Sequence, residues 1–136
     1  MPTVAPPPRP ATHERCPCLS GNVFGQCCGP LLAGDGLAPT AVQLMRSRYT
    51  AFAIGDAAYL LASWHPDTRP GSLELDPETR WYRLDILGTE RGGPFDRDGT
   101  VEFRASYRSD DERGVLHELS RFTREGGRWL YVDGEL

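Results

Sequence analysis

The sequence predicts an α+β protein in which a small cysteine-centred knuckle precedes two helices and a run of antiparallel strands. Three observations predict it. All four cysteines fall between positions 16 and 28. Apolar residues then recur at helical spacing from about position 40 to 64, and from Trp81 onward the period changes to two. Helices first and strands after them imply a sheet wrapped over the helices.

Residues 1 to about 14 are rich in proline (Pro2, Pro6, Pro7, Pro8, Pro10) and read as an extended or disordered tail. The knuckle spans 15–30, with Gly29-Pro30 closing it. Leu31 to Gly36 is a short apolar link. Thr40 is a helix N-cap with Gln43 three residues on, a capping box. Val42, Met45, Tyr49, Phe52 and Ala53 form the expected buried stripe, with Arg46 and Arg48 off it. Gly55 stops this helix and Asp56 caps a second, which carries Tyr59, Leu60, Leu61 and Trp64 and ends at Pro66. The segment from Pro66 to about Thr79 reads as loop.

Four strands follow. Trp81 to Leu87 alternates with Tyr82, Leu84 and Ile86 on one face, and Gly92-Gly93-Pro94 breaks it. Thr100 to Arg108 places Val101, Phe103, Ala105 and Tyr107 on one face. Asp110 to Gly114 is an acidic turn. Val115 to Thr123 and Arg128 to Val132 flank Gly126-Gly127, a hairpin that sets Arg124 opposite Trp129 and Phe122 opposite Tyr131.

Cys16 and Cys18, with only Pro17 between them, and the adjacent Cys27 and Cys28 are separated by an eight-residue return loop. Four thiolates on short spacers suit a tetrahedral ion, and zinc is the expected one. Two disulfides or an iron–sulfur cluster use the same number of cysteines. No secretory signal precedes them and no apolar run reaches a membrane span, so a reducing, cytoplasmic setting and a metal are expected. Four sulfurs would fill the coordination sphere, which makes this zinc structural.

The stretch resembles the SEC-C motif in Cys16, Cys18, Ser20, Gly21, Cys27 and Cys28, which match it in order and spacing. Leu19 stands where that motif usually has glycine, and the lysines common in its return loop are absent. In the SecA translocase this motif is associated with partner and membrane contacts through a basic surface. The missing lysines do not carry that role over. Further blocks, Met45-Arg46-Ser47-Arg48-Tyr49-Thr50-Ala51-Phe52, Trp64-His65-Pro66 and Arg128-Trp129-Leu130-Tyr131-Val132-Asp133-Gly134, are similar to the YchJ-like family. That resemblance implies a SEC-C knuckle joined, over 31–136, to a cone-shaped α+β roll of the nuclear transport factor two-like kind. The biochemical role of that family is not established.

The net charge of −4 argues against nucleic acid as the main ligand, and every basic residue other than three histidines is arginine. No Gly-x-Ser-x-Gly, phosphate-cradling glycine-rich loop or His-Glu-x-x-His is present. Pocket candidates in the roll are Tyr49, Trp64, His65, Tyr107, His117 and Trp129. His65 stands where the second helix stops, either at a pocket mouth or capping the helix. His117 is in phase with Val115 and Leu119, which suggests an inward direction as a core histidine or a general base. Glu118 then points outward with Glu102. The aromatics form either a pocket lining or core. The leading expectation is a zinc-binding adaptor with a protein partner. The alternative is a small enzyme or ligand-binding protein using His117 or His65, and a redox role for Cys27-Cys28 ranks third.

Overall fold

A computed structural model describes residues 9–136. The expected proline-rich tail lies largely outside the described residues. At its end the expectation needs correction, because residues 11–14 belong to the knuckle. Phe24 N–H donates to Glu14 O at 2.7 Å and Gly25 N–H to Thr12 O at 2.9 Å.

The elements run as a 3₁₀ turn (Phe24–Gln26), α1 (Cys28–Ala33), α2 (Ala41–Ile54), α3 (Ala57–Ala62), β1 (Thr79–Arg91), β2 (Asp98–Ser109), β3 (Glu112–Glu125) and β4 (Arg128–Glu135). The first half of the apolar link, Leu31 to Ala33, is therefore part of a helix. Pro30 falls in its first turn, where the missing N–H costs nothing, so Gly29-Pro30 does not end the knuckle.

The strands form an antiparallel meander in the order β1-β2-β3-β4. The hairpin joining β3 to β4 pairs Arg124 with Trp129 and Phe122 with Tyr131, as the glycine pair implied. Gly126 and Gly127 have φ of 58° and 79°, the two positive values of the tight turn that matches strand twist. In β1 the expected face is shifted by a bulge between Trp81 and Arg83. Trp81 takes the inward place that alternation assigned to Tyr82, which is 48% exposed. Outside β4, Ser63–His65 pairs along Tyr131, with Tyr131 N–H donating to Ser63 O and His65 N–H to Tyr131 O. This segment covers part of an otherwise open sheet edge.

Helix α2 begins and ends as its sequence implies. Thr40 Oγ1 accepts from Gln43 N–H at 3.2 Å, and Gly55 closes the helix in the left-handed region. Its burial does not follow a single stripe. Ser47, Arg48 and Thr50 are buried as fully as Met45 and Tyr49, because knuckle, sheet and α3 pack around the helix. One apolar cluster contains Cys16, Cys18, Phe24 and Cys28 together with Met45, Tyr49, Val101 and Phe103. The knuckle and the roll thus share a core.

Candidate metal centre and roll cavity

The knuckle folds back on itself by pairing Arg15 with Val23, with Cys16 N–H donating to Asn22 O at 2.9 Å. Leu19 sits at φ 62°, in the left-handed region, which explains the usual glycine at this place in the motif. The 3₁₀ turn then delivers Cys27, and the first turn of α1 delivers Cys28.

All four Sγ atoms lie within 4.8 Å of one another. Cys18 and Cys27 Sγ are 3.6 Å apart and Cys27 and Cys28 Sγ 4.0 Å apart. A tetrahedron with metal–sulfur bonds of about 2.3 Å has edges of about 3.8 Å, so these separations fit a single ion among the sulfurs. Cys16, Cys18 and Cys28 are buried. The four thiols can hold a metal.

The sulfurs polarise one another. Hydrogen bonds from Cys16 and Cys28 hold the Cys18 thiol far below its ordinary range, whereas burial pushes Cys27 up to about 11. Four thiolates cannot share this space without a cation between them. Outer partners orient the set: Thr50 Oγ1 donates to Cys28 Sγ at 3.4 Å, and Ser20 Oγ lies 3.1 Å from Cys27 Sγ. Arg46 Nη1 donates to Cys18 O at 2.7 Å. Arg46 and Thr50 come from the same helix, so α2 is the backing of the cysteine site.

On its other side α2 borders a cavity of about 230 Å³ between helix and sheet. Its apolar walls include Met45, Tyr49, Phe52, Trp81, Phe103 and Leu116. Its polar groups are Arg48, Trp64, Glu118, Ser120 and Tyr131. Arg48 is 4% exposed, and its Nη1 donates to Leu60 O and Ser63 Oγ, both at 2.7 Å. Its guanidinium carbon lies 4.5 Å from the Tyr131 ring centre and 5.1 Å from that of Trp64. Burial lowers the Arg48 pKa to about 10, with Tyr131, Tyr59 and Glu118 opposing the shift. Glu118 accepts from Ser120 Oγ and from the Tyr131 hydroxyl.

Two of the expected pocket residues, Tyr49 and Trp64, line this cavity, and four do not. His117 points away from it. It is exposed on the outer face and meets Glu102 at 2.7 Å, while Leu116, Glu118, Ser120 and Phe122 take the inner phase of β3. The inward reading of His117 and the outward reading of Glu118 are both corrected, because the phase follows Leu116 and Phe122. His65 packs outside the cavity, with Nε2 3.1 Å from Glu125 Oε1 and Nδ1 accepting from Asp67 N–H. Tyr107 stacks on Trp81 with ring centres 5.1 Å apart. Trp129 is buried, donates Nε1–H to Pro39 O at 3.2 Å and faces α1 and α3. Sequence reasoning missed Arg48, Glu118 and Ser120. The one available signal was the unbroken β3 phase from Leu116 to Phe122.

No helix among the described residues is long and apolar enough to cross a membrane. The fold and cysteine site define a class, an α+β roll carrying a cysteine knuckle. Residues 40–134 match the family described as YchJ_M-like (YchJ, middle NTF2-like domain), and residues 14–30 match the SEC-C motif. The chain belongs to this YchJ-like, UPF0225 family, whose biochemical role is not established. A UPF0225 protein of Streptomyces coelicolor is 55% identical over 120 residues, covering 88% of this chain and 94% of that protein. One from Corynebacterium glutamicum is 50% identical over 123 residues, covering 90% and 98%. The solution structure of a SEC-C motif containing protein from Rhodopseudomonas palustris aligns with a TM-score of 0.77 at 36% identity, over 88% of this chain and 96% of that one.

Proposed function

We propose that this protein is a metal-braced binding protein, in which four cysteine thiolates hold one structural zinc ion and the roll cavity takes a small ligand. Zinc suits an all-thiolate tetrahedral set. With four sulfurs on the ion no position remains for substrate, so the metal would serve to lock the knuckle onto α2.

The observation that carries the binding half is the cavity. Protein cores leave few voids larger than a water molecule, yet here about 230 Å³ adjoins a buried guanidinium. Such a concave, mostly apolar space with a few polar groups has the character of a ligand site. Neither His65 nor His117 reaches it, which favours binding over histidine acid–base chemistry. The adaptor reading is weaker for a geometric reason: three of the four cysteines are buried against the roll, and the knuckle is part of its core.

The test is a fragment titration of the metal-loaded protein followed by ¹⁵N–¹H spectra of the indole groups. Small aromatic probes are expected to shift Trp64 and Trp81 saturably and to leave Trp129 in place. Probes that move all three alike, or none, would count against the cavity as the site.

A further inference from the structure

We infer that the roll cavity is a site for a small organic acid, with an apolar ring or branched body, a carboxylate for Arg48 and a hydroxyl for Glu118. This rests on the cavity being a binding site and adds the chemistry of its ligand.

Arg48 carries the argument. A guanidinium has five N–H donors in a fixed fork. Among the described residues Arg48 donates to protein only through Nη1, to Leu60 O and Ser63 Oγ. Its Nε and Nη2 groups have no protein acceptor there, and no carboxylate forms an ion pair with it. A guanidinium buried with no anion in contact is costly. The rings of Trp64 and Tyr131 lie against it and offset part of that cost, but they neutralise no charge.

The shape of the guanidinium narrows the anion. Its Nε–H and one Nη2–H lie side by side on one edge of the fork and match the two oxygens of a carboxylate. The indole N–H of Trp64 is fully enclosed and has no hydrogen-bond partner among the described residues, so it is not counted toward the ligand.

Glu118 narrows the class further. Its carboxylate already accepts from Ser120 and Tyr131, and Tyr131 also lies under the Arg48 guanidinium. A bare anion would meet repulsion from Glu118. A ligand hydroxyl turns that neighbour into an acceptor. The nearby Glu118 charge also disfavours a phosphate, whose charge is closer to two. The volume sets the size. A cavity of about 150 Å³ accommodates benzene, so the observed cavity has room for one ring with its two polar ends.

Calorimetric titration of the full metal-loaded chain with 4-hydroxybenzoate, 4-hydroxybenzamide and benzoate tests this. The hydroxy acid is expected to bind about tenfold or more tightly than its amide, the difference expected of a charge-assisted pair, and more tightly than benzoate. Ala105→Leu, which extends a wall residue into the cavity, is expected to abolish binding of all three while the indole spectrum stays folded. Arg48→Met is expected to remove the preference for the acid. Should that variant fail to fold, the comparison of acid with amide in the native protein still decides. Equal binding of acid and amide, displaced by Ala105→Leu, would overturn the carboxylate inference and leave the cavity reading standing. Benzoate binding as well as 4-hydroxybenzoate would overturn the role of Glu118. Failure of every probe to bind would overturn both inferences.

Discussion

Thr50→Val separates a metal-dependent brace from ordinary packing. Thr50 is fully buried on α2, its hydroxyl 3.4 Å from Cys28 Sγ and 3.8 Å from Cys16 Sγ. Valine keeps the shape and removes the only hydroxyl that α2 offers to these sulfurs among the described residues. With the metal bound the acceptors are thiolates, and a hydrogen bond to a charged group contributes about 1.5–3 kcal/mol. The loss should be about 2 kcal/mol, or about 7 °C in melting temperature for a chain of this length. Loss of such an outer partner should also weaken metal binding by about 10- to 100-fold. Without metal, hydrogen bonding with Cys16 and Cys18 pushes the Cys28 thiol up, so it stays a neutral, weak acceptor and the same substitution should cost under about 1 kcal/mol. The assay is thermal and urea unfolding of both proteins, loaded and chelator-treated, with metal affinity by chelator competition. An equal cost in the two states, or an unchanged affinity, would refute the reasoning.

Arg46→Ala removes the 2.7 Å bond from α2 to Cys18 O. It should cost about 1 kcal/mol and speed metal release to a chelator, followed by stopped-flow absorbance. Tyr131→Phe should change the alkaline stability profile. Burial raises the Tyr131 phenol to about 12, so the folded state favours the neutral form. That contribution is complete below the ordinary value near 10 and is lost as pH climbs through 12. Wild type should therefore lose stability relative to the variant between those limits, in urea unfolding at stepped pH; parallel curves would contradict it. His117→Ala alters only an exposed pair with Glu102. It should change stability by less than about 0.5 kcal/mol and leave cavity binding untouched, in the same unfolding and titration assays.

The parts of the fold written in local chemistry were legible before the structure. Thr40 and Asp56 cap the helices they were expected to cap, and the two glycines after Glu125 set a register that holds at Trp129 and Tyr131. The cysteine spacing announced a set of thiols that can hold a metal, and they do lie together. What failed depends on surroundings. Arg48 looks like a surface residue on a helical wheel, but α2 is enclosed by knuckle, sheet and α3, so its polar side is buried too. The β1 bulge exchanges Trp81 for Tyr82, and no period-two pattern contains an extra residue. On β3, Val115, His117 and Leu119 imitate an inner face because two exposed aliphatics stand in the outer phase. Trp129 and Tyr107 are aromatic and partly or fully buried, yet burial alone does not choose between core and cavity wall.

X-ray absorption at the zinc edge of the purified protein tests most directly whether a closed four-thiolate metal centre braces α2. One zinc per chain with four sulfur neighbours at about 2.3 Å is the predicted result. A first shell containing two or more nitrogen or oxygen ligands, or protein that is as stable without metal as with it, would contradict it.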